Sequence, residues 1–199
     1  MLFVGTSIIH PSTEGVFLLC NILDLLIYSL EFIYRWGLQH QLNKNDNIWK
    51  FKNKTLPLSS QIDCENGAQY KIEGVILRDR CSVRVRNGGI LNIGNNVAFN
   101  NNCTLTCRGK ITIGSDTNIG PNCAIFDHDH DYMSKNRMEN YKIGSILIGK
   151  NVWIGANVTI LKNSVIGDNC VIGAGSVVKG KYHSNTLVVG NPAVEKKVI

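Results

Sequence analysis

The chain has 199 residues, 44% of them apolar, and a formal charge of +6, which is enough for one buried core and too scattered a charge to argue for nucleic acid. Charged residues make up only 18%, against roughly 25% in ordinary soluble domains, a thinness that suits strand-rich repeats full of Asn, Gly and Thr. Seven cysteines without paired CxxC spacing, and no cleavable signal sequence, argue against a secreted disulfide framework and lead to the expectation of a cytoplasmic protein.

Residues 1–60 read as an N-terminal helical or extension segment. Over 14–42, Asn21, Asp24, Tyr28, Glu31 and Arg35 recur three or four apart, and Leu, Ile, Val and Phe fill the remainder. That spacing predicts an amphipathic α-helix. Val16–Trp36 is long enough to cross a bilayer, but Asp24, Glu31 and Arg35 would each be costly there. The expectation is a helix packed on the rest of the chain or on a neighbouring subunit. Peripheral attachment at the inner face of the membrane is the alternative.

Residues 61–187 repeat with a period of six. The stretch from Val75 to Ile93 is the weakest and reads as the first coils. Ile93, Phe99, Leu105 and Ile111 form one register; Ile113, Ile119 and Ile125 form another, offset by two residues. Ile148, Ile154, Ile160, Ile166, Ile172 and Val178 form a third, unbroken register. Glycine follows several of these, and four residues after each comes a small one, among them Cys103, Cys123 and Cys170. Cys107 falls outside the frame. Neither a strand, with period two, nor a helix, with period about 3.6, produces a strict six. A chain turning a corner every six residues does. One aliphatic per face points inward and stacks on the next coil, and Gly or Asn at the corners tolerates positive φ. The expected fold is all-β: a left-handed parallel β-helix, preceded by the α-helix and interrupted by one loop.

That loop is 127–147, where the period breaks into polar sequence, and long loops in compact domains are usually functional. It opens on Asp127-His128-Asp129-His130-Asp131. Chemistry that takes a proton from a hydroxyl needs an acceptor group held against its substrate. Histidine is the natural base, and both His128 and His130 are candidates. A flanking aspartate would orient the ring through its second nitrogen. His-x-His among carboxylates also invites zinc, but no third histidine has suitable spacing, so no metal is expected.

The segments WIGANVTIL at 153–161, VIGAGSVV at 171–178 and VVGNPA at 188–193, set in the six-residue frame, resemble the bacterial hexapeptide-repeat acyltransferases. The chain is similar to the maltose and galactoside O-acetyltransferases and to the capsule and lipopolysaccharide O-acetyltransferases over residues 75–199. The resemblance implies a homotrimer with active sites between subunits, acetyl-CoA as donor and a saccharide as acceptor, in surface polysaccharide biosynthesis. Relatives keep a catalytic histidine at a fixed place after the Gly120-Pro121-Asn122 corner. That place is His130, with His128 the second choice.

Further roles come from the same resemblance. Asn100 inherits a hydrogen bond to acceptor or oxyanion. Asp127 and Asp129 stand on the acceptor side, and Trp153 walls the pocket. Ala156 and Ala174 meet the pantetheine arm, and Lys179 or Lys181 meets a CoA phosphate. Asn191 and Pro192, in the C-terminal tail 188–199, close over the adenine end. With no nucleophilic Ser or Cys standing out, direct transfer without an acetyl-enzyme is expected. The alternatives are N-acetylation of an amino sugar, free or nucleotide-linked, and a non-catalytic scaffold.

Overall fold

The structure is a computed structural model that describes residues 29, 30, 33, 36–38, 40–43, 46–51, 57 and 59–199. Most of the helix expected over 14–42 lies outside the described residues; positions 29, 30, 33, 36–38 and 40–42 are helical. Among the described residues no helix is long and apolar enough to cross a membrane. Leu38–Ile199 form one compact unit.

Strands follow one another in short pieces. First come β1 (Ile48–Phe51), β2 (Gln61–Cys64), β3 (Gln69–Leu77), β4 (Ser82–Val85), β5 (Ile90–Ile93), β6 (Val97–Phe99) and β7 (Thr104–Cys107). Then come β8 (Lys110–Ile113), β9 (Asn118–Ile119), β10 (Ala124–Phe126), β11 (His128–His130), β12 (Tyr141–Ile143), β13 (Ser145–Ile148) and β14 (Trp153–Ile154). The last are β15 (Thr159–Leu161), β16 (Val165–Ile166), β17 (Val171–Ile172), β18 (Val177–Val178), β19 (Lys181–Tyr182), β20 (Thr186–Gly190) and β21 (Ala193–Val198).

Parallel pairing stacks these strands into three faces. The first face holds the start of β3 and then β5, β8, β13, β16 and β19. The second holds the end of β3 and then β6, β9, β14, β17 and β20. The third holds β2, β4, β7, β10, β15 and β18. β3 serves two faces because it bends at Gly74, whose φ of 155° side chains rarely adopt. The fold is a left-handed parallel β-helix. β1 extends it from within the segment expected as an N-terminal extension, pairing in parallel with β3. At the other end β20 joins the second face and β21 folds back antiparallel on it, so the tail is part of the sheet.

The core is the six-residue frame. Ile148, Ile154, Ile160, Ile166, Ile172 and Val178 are all buried, and so are Val152, Val158, Ser164, Cys170 and Ser176. Each fully buried aliphatic is worth about 1.5–3 kcal/mol relative to exposure, so a continuous column is the main stabilising element. The offset registers upstream have a simple cause. On the first face β8 turns both Ile111 and Ile113 inward, and β5 does the same with Leu91 and Ile93. Early coils are therefore longer: stacked corner residues lie 20 apart there, 18 apart later and 16 apart at the last coil. Cys107 is explained in the same way. β7 points Leu105 and Cys107 inward, and burial pushes the Cys107 thiol up to about 12.

Corners are built from residues in the left-handed region, chiefly Asn96, Asn102, Asn122, Asn151, Asn157, Asn163, Asn169 and Asn185. Asparagine tolerates that conformation better than other side-chain-bearing residues. Its amide also bonds the next coil: Asn102 donates to Asn122, and Asn151 to Asn169 and Asn169 to Asn185. Beneath one corner Cys81, Cys103 and Cys123 each donate Sγ–H to the next coil's carbonyl at 3.1 Å.

Candidate active site

Where β10 ends, the chain leaves the stack at the edge between the third and first faces. Departure would strip the N–H groups of Arg108 and Gly109 of their next-coil carbonyls. Asp127 replaces them. Its carboxylate, wholly buried, accepts from Arg108 N–H at 2.9 Å and from Gly109 N–H at 2.8 Å. Its carbonyl accepts from Gly144 N–H at 2.7 Å, closing the base of the loop. Between these points β11 and β12 form an antiparallel hairpin, pairing His128 with Ile143 and His130 with Tyr141.

The two histidines are held differently. His128 Nδ1 lies 3.0 Å from Asp127 Oδ1, its side chain is 12% exposed, and its ring meets Phe126 and Tyr141 edge-on. His130 is exposed, donates Nδ1–H to the Arg137 carbonyl at 2.9 Å, and tilts against Tyr141. Donation through Nδ1 leaves Nε2 of the neutral ring as the free lone pair in both. The other aspartates serve lysines: Asp129 pairs with Lys162 at 3.0 Å, and Asp131 with Lys142 at 3.0 Å. Lys142 holds the Asp131 carboxyl below its usual range.

Lys179 and Lys181 flank the turn from β18 to β19 and so lie along this same edge. The remaining candidates gather elsewhere. Asn100, Ala156 and Ala174 stack at the edge between the second and third faces, and the Asn191-Pro192 turn extends that column. Asn100 N–H donates to Ile119, and its side chain accepts from Asn101 N–H at 2.8 Å. Beside it Trp153, 66% exposed, stands over a shallow recess of about 220 Å³ shared with Arg78, Ala98, Asn118 and Gly120. Gly120 and Gly155 keep this edge close-packed: a Cβ on Gly120 would fall 2.7 Å from the Gly155 backbone. One chain thus brings His128, His130, Lys179 and Lys181 to one edge and Asn100, Trp153, Ala156, Ala174, Asn191 and Pro192 to another. The width of the third face lies between them.

Sequence reasoning missed Arg108, Tyr141 and Lys162. Arg108 lies one coil below His128, and its guanidinium covers the Tyr141 ring at 3.7 Å from the centroid. None of the three falls on an inward repeat position, so periodicity carried no signal for them. Among the described residues no group of three or more His, Cys, Asp or Glu side chains is arranged to hold a metal ion.

A three-faced β-helix with six-residue corners and an imidazole-bearing hairpin at one edge defines a hexapeptide-repeat protein. The model of the bacterial transferase hexapeptide, six repeats, matches residues 145–180. WbbJ of Escherichia coli K12, named for lipopolysaccharide biosynthesis O-acetyl transfer, is 36% identical over 115 residues, covering 53% of this chain and 59% of that protein. The chain spans about half the length of the curated relatives it matches. Among solved structures, a maltose O-acetyltransferase from Clostridium difficile 630 is 28% identical, with a TM-score of 0.56 over 87% of this chain and 88% of that one. A hexapeptide-repeat containing acetyltransferase of Vibrio cholerae is 25% identical, with a TM-score of 0.58 over 96% and 94%. The chain thus carries the hexapeptide frame over residues 145–180 and is similar over about half its length to proteins named as acetyltransferases.

Proposed function

We propose that the protein is an O-acetyltransferase that moves the acetyl group of acetyl-CoA to a saccharide hydroxyl, in surface polysaccharide biosynthesis. The observation that carries this reading is the His130 ring. It is exposed, and its Nδ1–H is held by the Arg137 carbonyl, which leaves Nε2 free to take a hydroxyl proton. The acceptor oxygen attacks the thioester carbonyl as Nε2 removes its proton. The tetrahedral intermediate collapses, and the CoA thiolate leaves with a proton returned from the imidazolium. No acetyl-enzyme is needed. The relatives named above, a lipopolysaccharide O-acetyl transferase and a maltose O-acetyltransferase, support a saccharide acceptor.

The two separated edges support a shared site. Copies packed side by side around a three-fold axis would set the hairpin edge of one against the Asn100–Ala174 edge of the next. Asn100 then bonds the acceptor or the oxyanion, and Trp153 walls the pocket. Ala156 and Ala174 border the pantetheine arm. Lys179 or Lys181 meets a CoA phosphate, and Asn191 and Pro192 flank the adenine end.

One observation favours a second assignment of the base. Asp127 on His128 Nδ1 would stabilise an imidazolium there, as the carboxylate does in a catalytic triad. N-acetylation of an amino sugar uses the same geometry with a more nucleophilic acceptor. The test is CoA-thiol release with saccharide and amino-sugar acceptors, using wild type, His130→Ala and His128→Ala. Loss of about 10²–10⁴ in kcat in His130→Ala alone is the expected result for a general base. The same loss in His128→Ala alone would move the role, and no turnover in wild type with any acceptor would end the reading.

A further inference from the structure

Arg108 is the feature of this edge that neither the frame nor the proposed transfer uses. It follows β7, and its backbone N–H bonds Asp127, the residue before His128, where the hairpin leaves the coil above. Its guanidinium carbon lies over the Tyr141 ring, 3.7 Å from the centroid. Tyr141 in turn contacts both imidazoles, at 5.5 Å from His128 and 4.6 Å from His130 between centroids. Three cations nearby are paired: Lys142 with Asp131, Lys162 with Asp129, and Arg86 with Asp63 and Glu65. Among the described residues Arg108 makes no ion pair within 4 Å, although its charge reaches Glu65, which Arg86 already holds, and its Nε is buried with no hydrogen bond. The nearest buried carboxylate, Asp127, is already filled by two N–H groups and His128.

A guanidinium stacked on an aromatic ring is held rigid while its edge stays free, and that edge matches a carboxylate in two-point geometry. We propose that Arg108 recognises a carboxylate on the acceptor, so that the saccharide is an acidic one, a sugar acid such as a hexuronate. This rests on the transfer reading above and names its substrate class. Position selects the acceptor over the donor. The thioester and the attacking hydroxyl meet at the imidazole, so an anion bound beside the imidazole belongs to the acceptor. The CoA phosphates lie a whole pantetheine arm away.

The probes are methyl glucuronide and methyl glucoside, which differ only at C6, where a carboxylate replaces the hydroxymethyl group. They are tested on the full chain as wild type, Arg108→Gln and Arg108→Lys. Calorimetric binding in the presence of CoA reads recognition without turnover, and CoA-thiol release reads KM and kcat. Wild type is expected to bind the glucuronide tighter by about tenfold to a hundredfold, the usual worth of a charge-assisted pair. Arg108→Gln should abolish that preference while leaving the glucoside and the KM for acetyl-CoA unchanged, and Arg108→Lys should restore part of it. Equal wild-type binding of the two probes would overturn the proposal. So would equal losses on both in Arg108→Gln, which would mark a merely structural arginine, or a rise in the KM for acetyl-CoA, which would mark a donor-phosphate contact. Preferential binding without CoA release would leave the carboxylate site standing and sink the transfer reading.

Discussion

The wholly buried carboxylate of Asp127 lies 3.0 Å from Nδ1 of His128 while it also accepts the N–H groups of Arg108 and Gly109. The residue that seals the gap in the coil stack is therefore the one that orients the imidazole. In Asp127→Asn one side-chain atom becomes a donor and faces donors. The cost should be about 1–3 kcal/mol, that of an unsatisfied buried group. Urea denaturation checks this, and an unchanged midpoint would contradict the sealing role.

If the site is completed by a neighbouring copy, His130→Ala and Asn100→Ala disable different edges. Each variant alone should be nearly inactive. Co-refolded in equal amounts, they should regain about a quarter of wild-type CoA release, because random assortment gives that share of interfaces two intact edges. Absence of any recovery would place both residues in a site within one chain.

Gly114 packs directly under the next coil: a Cβ there would stand 2.5 Å from the Gly149 carbonyl and 2.6 Å from the Lys150 nitrogen. Those atoms are backbone and cannot swing aside. Gly114→Ala should destabilise by about 1–3 kcal/mol through overpacking, whereas Gly88→Asn meets open space and only the backbone strain of φ +78°, which asparagine tolerates best, and should cost less, about 1 kcal/mol or below. Thermal denaturation of the two variants separates them, and equal shifts would refute the close approach.

The hairpin carries its own pH dependence. Hydrogen bonding to Lys142 lowers the Asp131 carboxyl, and the same contact raises Lys142. The contribution of Asp131 is thus present above the ordinary carboxylate range and lost as pH falls through its lowered value. That of Lys142 is present below the ordinary lysine range and lost as pH rises through its raised value. Amide exchange at Asp131 N–H, which bonds Asn140, should gain protection between those limits and lose it in acid. In Asp131→Asn the acid step should vanish. An identical acid step in the variant would assign it to another group.

Much of the core was readable because inward contacts recur at a fixed sequence interval. Ile148 through Val178 and the corner asparagines need only local geometry to be placed. The two offset registers were visible, but not their cause. That Ile111 and Ile113 share a strand, and that Cys107 follows Leu105 inward, depends on how wide each face is. Strand width is settled by stacking against the coil above and below.

The amino-acid sequence by itself determined a six-residue coil, its buried column and an excursion opening on two histidines, because each follows from short-range periodicity or its interruption. Only the tertiary structure decided that Asp127 serves His128 while Arg137 holds His130, and that Arg108 covers Tyr141. It also decided that the candidate residues divide between two edges. A flanking aspartate was legible beside the histidines but not which ring it holds, whereas the Arg108–Tyr141 contact and the two edges join residues on different coils, across a loop that sets Thr117 against Val152, 35 positions on, and no local spacing encodes them.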